Sequence, residues 1–310
     1  MLAGISPLIL PTLRKIETRS IGAFTYERFL CDSLLLERVV KLSRYFLSPR
    51  SEGKERSVIY CLHGAVGDDA FATLIGLFES FSSADLDACL REGVEFVFPD
   101  CGTGYLRQDP THPRESYADY FLNEVIPMIE SDRSQPVRRR YLMGYSSGGY
   151  SALSLFVKYP NLFAGVVAGM PVLFDFDFFS DDCVKQYASD NGLDLAFITQ
   201  GIQITRSVFK DYPDYLKHDP LTLLESADLS EIRGKPMFID VGSDDEFGLW
   251  TGTRNLSRSL KEKQIPHLHV ERAGVAHNMD CARLGTLDGF RIFFGIPAGE
   301  ITHPPVLRSA

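Results

Sequence analysis

Short apolar runs rich in β-forming residues alternate along the chain with stretches whose apolar residues recur at helical spacing. The runs predict strands in Ala23–Leu30, Leu35–Leu47, Ser57–Gly64, Gly93–Asp100, Arg140–Tyr145, Leu162–Met170, Lys235–Phe247 and His267–Gly274, with Cys31-Asp32-Ser33 as a turn between the first two. The other stretches predict helices in Asp69–Phe81, Arg114–Glu130, Thr253–Ile265 and Cys281–Gly295, and one directly after Tyr145. This alternation is typical of an α/β protein with a mostly parallel sheet, covered by helices on both faces, whose active residues follow the carboxyl ends of the strands.

The interval from Pro171 to Gly234 carries no clear strand–helix unit. A long irregular insertion in a compact domain is usually functional. We therefore predict one domain over residues 1–310, with residues 171–234 as a cap or lid after the sixth predicted strand. A structural excursion over the sheet edge is the alternative. The aromatic residues that give this segment its apolar area are Phe174, Phe176, Phe178, Phe179, Phe209, Tyr212 and Tyr215, and Asp175, Asp177, Asp181 and Asp182 lie among them.

The charge balance limits the class of partner. The chain has 310 residues, of which 45% are apolar and 24% charged, and its net charge is −9. Nucleic acids and anionic membranes both require basic surface, so we expect neither as a partner. The one basic cluster, Arg138-Arg139-Arg140, is predicted to be a solvated loop before a strand. A monomer and a homodimer are both compatible with this pattern.

The six cysteines are Cys31, Cys61, Cys89, Cys101, Cys183 and Cys281, and no two form a CxxC pair. Neither a disulfide framework nor a cysteine metal site is expected. The first residues make a poor signal peptide, because the basic residues follow the apolar part and Pro7 and Pro11 interrupt it. No apolar run approaches the length that spans a bilayer, so we predict a cytoplasmic protein.

The sequence "YLMGYSSGGYSAL", Tyr141–Leu153, carries the strongest candidate for chemistry. Gly144-Tyr145-Ser146-Ser147-Gly148 fits the pattern G-x-S-x-G of a nucleophile elbow, in which the serine lies on a sharp turn between a strand and a helix. The spacing selects Ser146 as the nucleophile. The backbone N–H of Ser147, at the start of the helix, can then stabilise a developing oxyanion.

A serine nucleophile requires a general base, and the order along the chain is expected to be serine, acid, histidine. The candidates His218, His267, His269 and His277 follow Ser146. His277 lies between the last predicted strand and the last helix, where a base would be placed. His218 lies in the predicted cap. His267 and His269 point to one face of a strand, but no supporting ligand is suitably spaced, so we predict no metal and no cofactor.

The acid is expected in the loop after the preceding strand, where "FIDVGSDDEF" offers Asp240, Asp244, Asp245 and Glu246. Asp240 is predicted inside the strand, and spacing alone does not separate Asp244 from Asp245. A second oxyanion donor usually follows an earlier strand. In "LHGAVGDD" the N–H of Ala65 is the preferred donor, and His63 is predicted to brace that loop.

In these segments the chain resembles the esterase D family of α/β-hydrolases, which includes S-formylglutathione hydrolases, feruloyl and acetyl esterases and mycolyltransferases. The matching pieces, in family order between Ala23 and Phe294, are the two leading strands, "YCLHGAVGDD", "FVFPDCGTGY", "ESYADYFLNEVIPMIE", "GYSSGGYSAL", "HDPLTLL", "DVGSDDEF" and "GVAH". The resemblance implies an α/β-hydrolase fold. It also implies Asp245 as the acid, since that aspartate stands three residues after Gly242, with His277 as the base and Ala65 and Ser147 as oxyanion donors.

Several positions depart from the family pattern and leave the substrate open. Asn278-Met279 follows the histidine, where the family often has Asp-Trp or Ser-Tyr, and Tyr145 and Ser147 flank the serine, where S-formylglutathione hydrolases usually carry His or Met. We predict substrate contacts from Tyr145, Phe174, Phe176 and Trp250, the only tryptophan. The predicted activity is hydrolysis of a small ester or thioester through an acyl-serine. An acyltransferase and a catalytically silent binding protein of the same fold are the alternatives.

Overall fold

The computed structural model of the chain describes residues 10–48, 55–109, 111–131 and 136–297. The prediction about a signal peptide falls mostly on residues 1–9, which lie outside the described residues. Within the described ranges, no helix combines the length and the hydropathy needed to cross a bilayer.

In the described residues, nine strands form one sheet in the order β1-β2-β3-β5-β4-β6-β7-β8-β9. The strands are Leu13–Ile21 (β1), Phe24–Ser33 (β2), Arg38–Leu47 (β3), Arg56–Leu62 (β4), Val94–Pro99 (β5), Val137–Tyr145 (β6), Gly165–Gly169 (β7), Met237–Gly242 (β8) and Leu268–Arg272 (β9). Strands β4 to β9 are parallel, whereas β1, β2 and β3 join by antiparallel pairing at one side. The predicted mostly parallel sheet is confirmed.

The helices flank this sheet. They are Phe71–Leu74 (α1), Ser83–Glu92 (α2), Tyr117–Tyr120 (α3), Ile126–Glu130 (α4), Ser147–Lys158 (α5), Asp181–Asn191 (α6), Leu195–Val208 (α7), Tyr212–Leu216 (α8), Pro220–Ser226 (α9), Trp250–Glu262 (α10) and Met279–Phe294 (α11). A π-helical turn, Phe121–Val125, joins α3 to α4, and short 3-10 turns occur at Phe78–Ser80, Pro113–Glu115, Pro160–Leu162 and Leu229–Glu231. Every residue of β4, β5, β7 and β8 is buried, as expected of parallel strands covered on both faces.

The antiparallel part of the sheet differs from the prediction. Strand β1 was not predicted; it is an edge strand with mostly exposed residues, so its apolar periodicity is weak. The segment Cys31-Asp32-Ser33 lies inside β2, and the chain turns after it, with Glu37 at a φ of 51°. The buried Glu124 satisfies polar groups at this end of the hairpin, because its carboxylate accepts hydrogen bonds from Ser33 Oγ and from the Leu34 N–H.

The helical prediction after β4 was also wrong in detail. Gly76, at a φ of 59°, interrupts the predicted helix Asp69–Phe81 and leaves only α1 and a 3-10 turn. Helix α2 was not predicted, although Ser82 and Asp85 form a reciprocal capping box at its start. Arg138-Arg139-Arg140 lies within β6 rather than in a loop, and Arg140 pairs bidentately with Glu130 at 2.5 Å.

Residues 171–234 are largely helical rather than irregular, and they follow the seventh strand because β1 precedes the predicted ones. The N-cap residues of α6, α7, α8 and α9 are Ser180, Asp194, Asp211 and Asp219. Each of these side chains accepts a hydrogen bond from a backbone N–H of the first helical turn. Helices α8 and α9 have only 5 and 7 residues, so little apolar periodicity marks them in the sequence. All six cysteines are free thiols, and only Cys183 is exposed.

The strand order creates a crevice between β4 and β6. From β4 the chain proceeds to β5 on one side, whereas from β6 it proceeds to β7 on the other, which makes this a topological switch point of the parallel sheet. Leu62 pairs with Gly144, so the loops after both strands emerge side by side. Gly242 and Arg272 are paired in the same way at the ends of β8 and β9. Ser146, Asp245 and His277 therefore follow strands that end at one edge.

Candidate active site

Ser146 lies on a sharp turn between β6 and α5. Its φ of 57° and ψ of −122° are unfavourable for a residue with a Cβ atom. Two backbone hydrogen bonds hold the turn: the Ser146 N–H donates to Gly169 O at 2.8 Å, and Ser146 O accepts from the Val172 N–H at 3.2 Å. This geometry agrees with the elbow that the sequence predicts.

The glycines around Ser146 are required by close approach of the backbone. A Cβ atom on Gly144 would lie 2.0 Å from Gly148 O, and one on Gly148 would lie 2.2 Å from Leu62 O. Strand β6, helix α5 and the end of β4 therefore meet with no room for a side chain. The G-x-S-x-G spacing is a consequence of this crowding.

The structure brings Ser146, His277 and Asp245 into one hydrogen-bonded chain. Ser146 Oγ lies 3.1 Å from His277 Nε2, and His277 Nδ1 lies 2.8 Å from Asp245 Oδ2. Because a carboxylate only accepts, Nδ1 carries the imidazole proton and Nε2 is left to accept the Ser146 hydroxyl proton. Asp245 is fully buried, whereas the His277 side chain retains 11% exposure.

Asp245 is held by its own loop. Its Oδ1 accepts the Phe247 N–H at 2.9 Å. The exposed neighbour Asp244 instead accepts a hydrogen bond from Ser243 Oγ at 2.7 Å. The Asp244 N–H donates to Val275 O at 3.0 Å, which joins this loop to the one that carries His277. Of the two aspartates that spacing left open, Asp245 is the one that contacts His277.

The other two acidic candidates have different contacts. Asp240 is buried in β8 and pairs with the buried Arg272 at 2.6 Å, and Arg272 also pairs with Asp288 at 2.8 Å. Burial raises the pKa of Asp240 to about 6, although Arg272 opposes the shift. Glu246 accepts the backbone N–H of His277 at 2.9 Å. Asp240 therefore supports the sheet below the site, and Glu246 fixes the backbone of the histidine loop.

The loop after β4 lies against the elbow. A Cβ atom on Gly64 would be 3.1 Å from the Ser146 Cβ, and the Gly67 N–H closes a turn onto Gly64 O at 2.9 Å. Ala65 lies in this turn, and both Ala65 and Ser147 border the same cavity as Ser146. Ser147 begins α5, whose first N–H groups have no partner within the helix.

His63 braces that loop, as predicted. Its Nδ1 lies 2.7 Å from Gly64 O, and its Nε2 accepts the Cys101 N–H at 2.8 Å. The side chain is buried, and burial lowers its pKa, so both ring nitrogens serve as neutral hydrogen-bonding groups. Ser147 Oγ donates to Thr103 O at 2.8 Å and ties the neighbouring loop to the elbow.

The other three histidine candidates, His218, His267 and His269, do not hydrogen-bond to Ser146 in the described structure. His267 Nε2 lies 2.8 Å from Ser257 Oγ, and its Nδ1 lies 2.9 Å from Ile265 O. Burial lowers the pKa of both His218 and His269 to about 4. In the described part of the chain, no three His, Cys, Asp or Glu side chains form a group that could hold a metal ion.

Metal removal provides a direct check on this site. We expect hydrolysis of p-nitrophenyl acetate to be unchanged after exhaustive dialysis against EDTA, because His277 can serve as the base without a metal-bound water. Initial rates before and after dialysis measure this. Loss of activity that Zn²⁺ or Mn²⁺ restores would contradict the expectation and return attention to His267 and His269.

A cavity of about 190 Å³ opens beside Ser146 and His277. Its walls come from the loop Gly64–Gly67, from Phe71, Tyr105 and Tyr145, from Val172 and Phe174, from Gly201, Ile204 and Thr205 of α7, and from Phe247, Leu249 and Met279. It is mostly apolar with few polar groups, as small-molecule sites usually are. The segment 171–234 thus supplies one wall.

The predicted substrate-binding residues separate into two pairs. Tyr145 and Phe174 border the cavity. Phe176 does not, because its ring stacks on Tyr187 with centroids 4.1 Å apart. Trp250 borders a neighbouring surface depression instead. Of the four predicted substrate contacts, Tyr145 and Phe174 thus border the cavity, whereas Phe176 and Trp250 do not.

The acidic and aromatic residues of the segment have mostly structural contacts. Asp175 accepts hydrogen bonds from Asn255 and Thr251, and Asp181 pairs with Arg206. Among the residues that the structure describes, the catalytic cavity is not bordered by Asp175, Asp177, Asp181 or Asp182. Phe178, Phe209, Tyr212 and Tyr215 pack together as an aromatic cluster rather than around Ser146.

The sequence also missed cavity residues. Seven such residues are Val66, Phe71, Tyr105, Val172, Ile204, Leu249 and Met279. Phe71, Val172, Ile204 and Leu249 lie outside every motif of the sequence. Val66, Tyr105 and Phe247 lie in "YCLHGAVGDD", "FVFPDCGTGY" and "DVGSDDEF", and Met279 follows "GVAH" closely, so these four could have been noticed from their places.

The chain was compared with known families and structures. Residues 37–282 match the model of the Esterase family, described as "Putative esterase". The chain belongs to this esterase family. It is a carboxylic ester hydrolase, as the sequence predicted. A comparison with curated proteins gave no significant match.

Solved structures show the α/β-hydrolase fold. A ferulic acid esterase superposes with a TM-score of 0.63 at 18% identity, covering 88% of this chain and 100% of its own. An S-formylglutathione hydrolase from Agrobacterium tumefaciens gives 0.62 at 14% identity, with coverages of 90% and 99%. An S-formylglutathione hydrolase from Staphylococcus aureus superposes with a TM-score of 0.61 at 15% identity, covering 87% of this chain and 99% of its own. The predicted fold and family resemblance are confirmed.

Proposed function

We propose that this esterase cleaves a small carboxylic ester or thioester through an acyl-Ser146 intermediate. The observation that carries the proposal is the continuous relay from Ser146 Oγ through His277 to buried Asp245, at the mouth of an apolar cavity. Three groups with these roles activate a serine, whose hydroxyl is a weak nucleophile by itself.

In the first half-reaction, Ser146 Oγ bonds to the acyl carbon while its proton passes to His277 Nε2. The bond to the leaving oxygen or sulfur then breaks, and His277 returns the proton to the leaving group. In the second half, water adds to the acyl carbon, gives its proton to His277, and the carboxylic acid departs as Ser146 regains its proton. Asp245 stays ionised and stabilises the transient imidazolium.

The backbone N–H groups of Ala65 and Ser147 are the proposed oxyanion donors. Both residues border the cavity, and Ser147 lies at the N-terminus of α5, where partial positive charge favours an anion. Donors fixed before the reaction stabilise charge that develops only in the transition state. Backbone donors cannot be removed by substitution of a side chain. The position of the Ala65 N–H can therefore be altered only indirectly, through the hydrogen bonds by which His63 holds this loop.

We further propose that residues 171–234 act as a cap within a single domain and bound the substrate cavity through Val172, Phe174 and α7. The net charge of −9 disfavours anionic substrates, so a neutral or cationic ester is expected. The free thiols fit a reducing compartment, and we place the enzyme in the cytoplasm.

A fluorophosphonate probe tests the proposal directly. The probe should phosphonylate one serine, and peptide mass spectrometry should locate the added mass on Ser146, because among the described residues its Oγ is the one hydroxyl at hydrogen-bond distance from His277 Nε2. Prior labelling should abolish release of acetate and p-nitrophenol from p-nitrophenyl acetate. Full activity in the labelled protein, or labelling at another serine, would refute the mechanism.

A further inference from the structure

The ring of Phe247 lies between the catalytic cavity and a second, larger surface depression. Phe247 borders the cavity of about 190 Å³ that contains Ser146. Its ring also packs on Phe197 with centroids 4.9 Å apart. Phe197 borders an open depression of about 690 Å³, which has acidic side chains and does not reach Ser146.

Adjacent residues of the same elements border the depression and the catalytic cavity. On α7, Gln200 faces the depression and Gly201 faces the cavity. In the loop after β8, Glu246 faces the depression and Phe247 faces the cavity. The Phe247 ring forms the partition on the side of the cavity, with the Phe197 ring behind it on the side of the depression, and Phe247 is the only aromatic residue among these four.

Gly201 allows the ring to occupy this position. A Cβ atom there would lie 2.2 Å from Phe247 Cε1 and 2.8 Å from Cδ1, so the ring lies directly against the backbone of α7. On its other side the ring meets His277 nearly edge to face, with centroids 5.1 Å apart at 87°. The Phe247 N–H donates to Asp245 Oδ1, which fixes the base of the side chain.

We propose that Phe247, seated on Gly201, is the specificity-determining residue that limits this esterase to short or single-ring acyl groups. The inference rests on the proposed function of Ser146. A cavity of about 150 Å³ accommodates benzene. A cavity of about 190 Å³ therefore holds an acyl group of roughly six or seven carbon atoms. Longer chains meet the Phe247 ring, behind which lie the Phe197 ring and then the open depression.

The test is a series of p-nitrophenyl esters from acetate to decanoate, measured as kcat/KM and expressed relative to acetate. The wild-type ratio should fall beyond about six or seven carbons. In Phe247→Ala the ratio for decanoate should rise about tenfold or more, since methylenes admitted to an apolar pocket contribute at least that much. Phe247→Leu should shift the limit in the same direction by less.

Because each kcat/KM value is expressed relative to that for acetate, a loss of activity common to all the esters, caused by poorer packing of His277 in the variant, cancels. Phe294→Ala is the matched control. It removes another half-buried ring, which packs on Phe290 and borders neither the cavity nor the depression, so the ratio should be unchanged. An unchanged ratio in an active Phe247→Ala enzyme would overturn the inference. Failure of the wild type to hydrolyse even acetate would instead overturn the proposed function.

Gly201→Ala provides the opposite change. The new methyl group must push the Phe247 ring into the cavity, so the ratio for hexanoate should fall about tenfold. In the Phe247→Ala background the methyl group has room, and the same substitution should have little effect on the ratio. Equal effects in both backgrounds would contradict the proposed contact, because substitutions at independent sites combine additively.

Discussion

Replacement of Ser146 by alanine is expected to lower kcat for p-nitrophenyl acetate by about four to six orders of magnitude, the usual consequence of removing a member of a catalytic triad. In the proposed mechanism this hydroxyl forms the acyl intermediate, and no other hydroxyl among the described residues hydrogen-bonds to His277 Nε2. The remaining rate above that of buffer would come from binding and the oxyanion donors. Steady-state kinetics with highly purified protein measure the loss.

Ser147→Ala is the matched control for this substitution. It removes an adjacent hydroxyl that donates to Thr103 O but keeps the backbone N–H that the mechanism uses. The expected loss is about one order of magnitude or less, since one neutral hydrogen bond is at stake. Near wild-type activity in Ser146→Ala, or a larger loss in Ser147→Ala, would show that the wrong serine has been assigned.

Residues at strand ends could be predicted because their positions follow from topology. Once β6, β8 and β9 are placed, parallel pairing puts the residues after Tyr145, Gly242 and Arg272 at one edge. His277 was chosen in this way, whereas Ser146 was selected by the G-x-S-x-G spacing. Choosing Asp245 over Asp244 needed the family resemblance, because adjacent residues in a loop differ in direction, and a turn's direction is not encoded in periodicity.

The cavity walls could not be predicted in the same way. Phe174 and Phe176 have the same chemistry and stand two residues apart, yet one borders the cavity and the other stacks on Tyr187. Their difference depends on how α6 and α7 pack, which is a tertiary effect. Edge strand β1 was missed for a related reason: few of its residues are buried, so apolar alternation is weak.

His277→Ala is expected to lose as much activity as Ser146→Ala, and the double variant should lose no more than either one. The reason is that Ser146 Oγ has no other base at hydrogen-bond distance among the described residues, the approach to His277 Nε2 being 3.1 Å. Comparison of kcat in the two single variants and the double variant measures this. A further large loss in the double variant would mean that the two residues act independently.

Asp245→Asn should lower kcat by about four orders of magnitude, because an amide in place of the carboxylate favours the wrong imidazole tautomer. Asp244→Asn is its control: this side chain is exposed and accepts only from Ser243 Oγ in the described structure, so the variant should stay within about tenfold of the wild type. The two substitutions change charge equally and stand one residue apart. A much larger loss in Asp245→Asn therefore reports what distinguishes this residue from its neighbour, which is its burial and its 2.8 Å contact with His277 Nδ1. Greater damage from Asp244→Asn would assign the acid to the neighbouring residue.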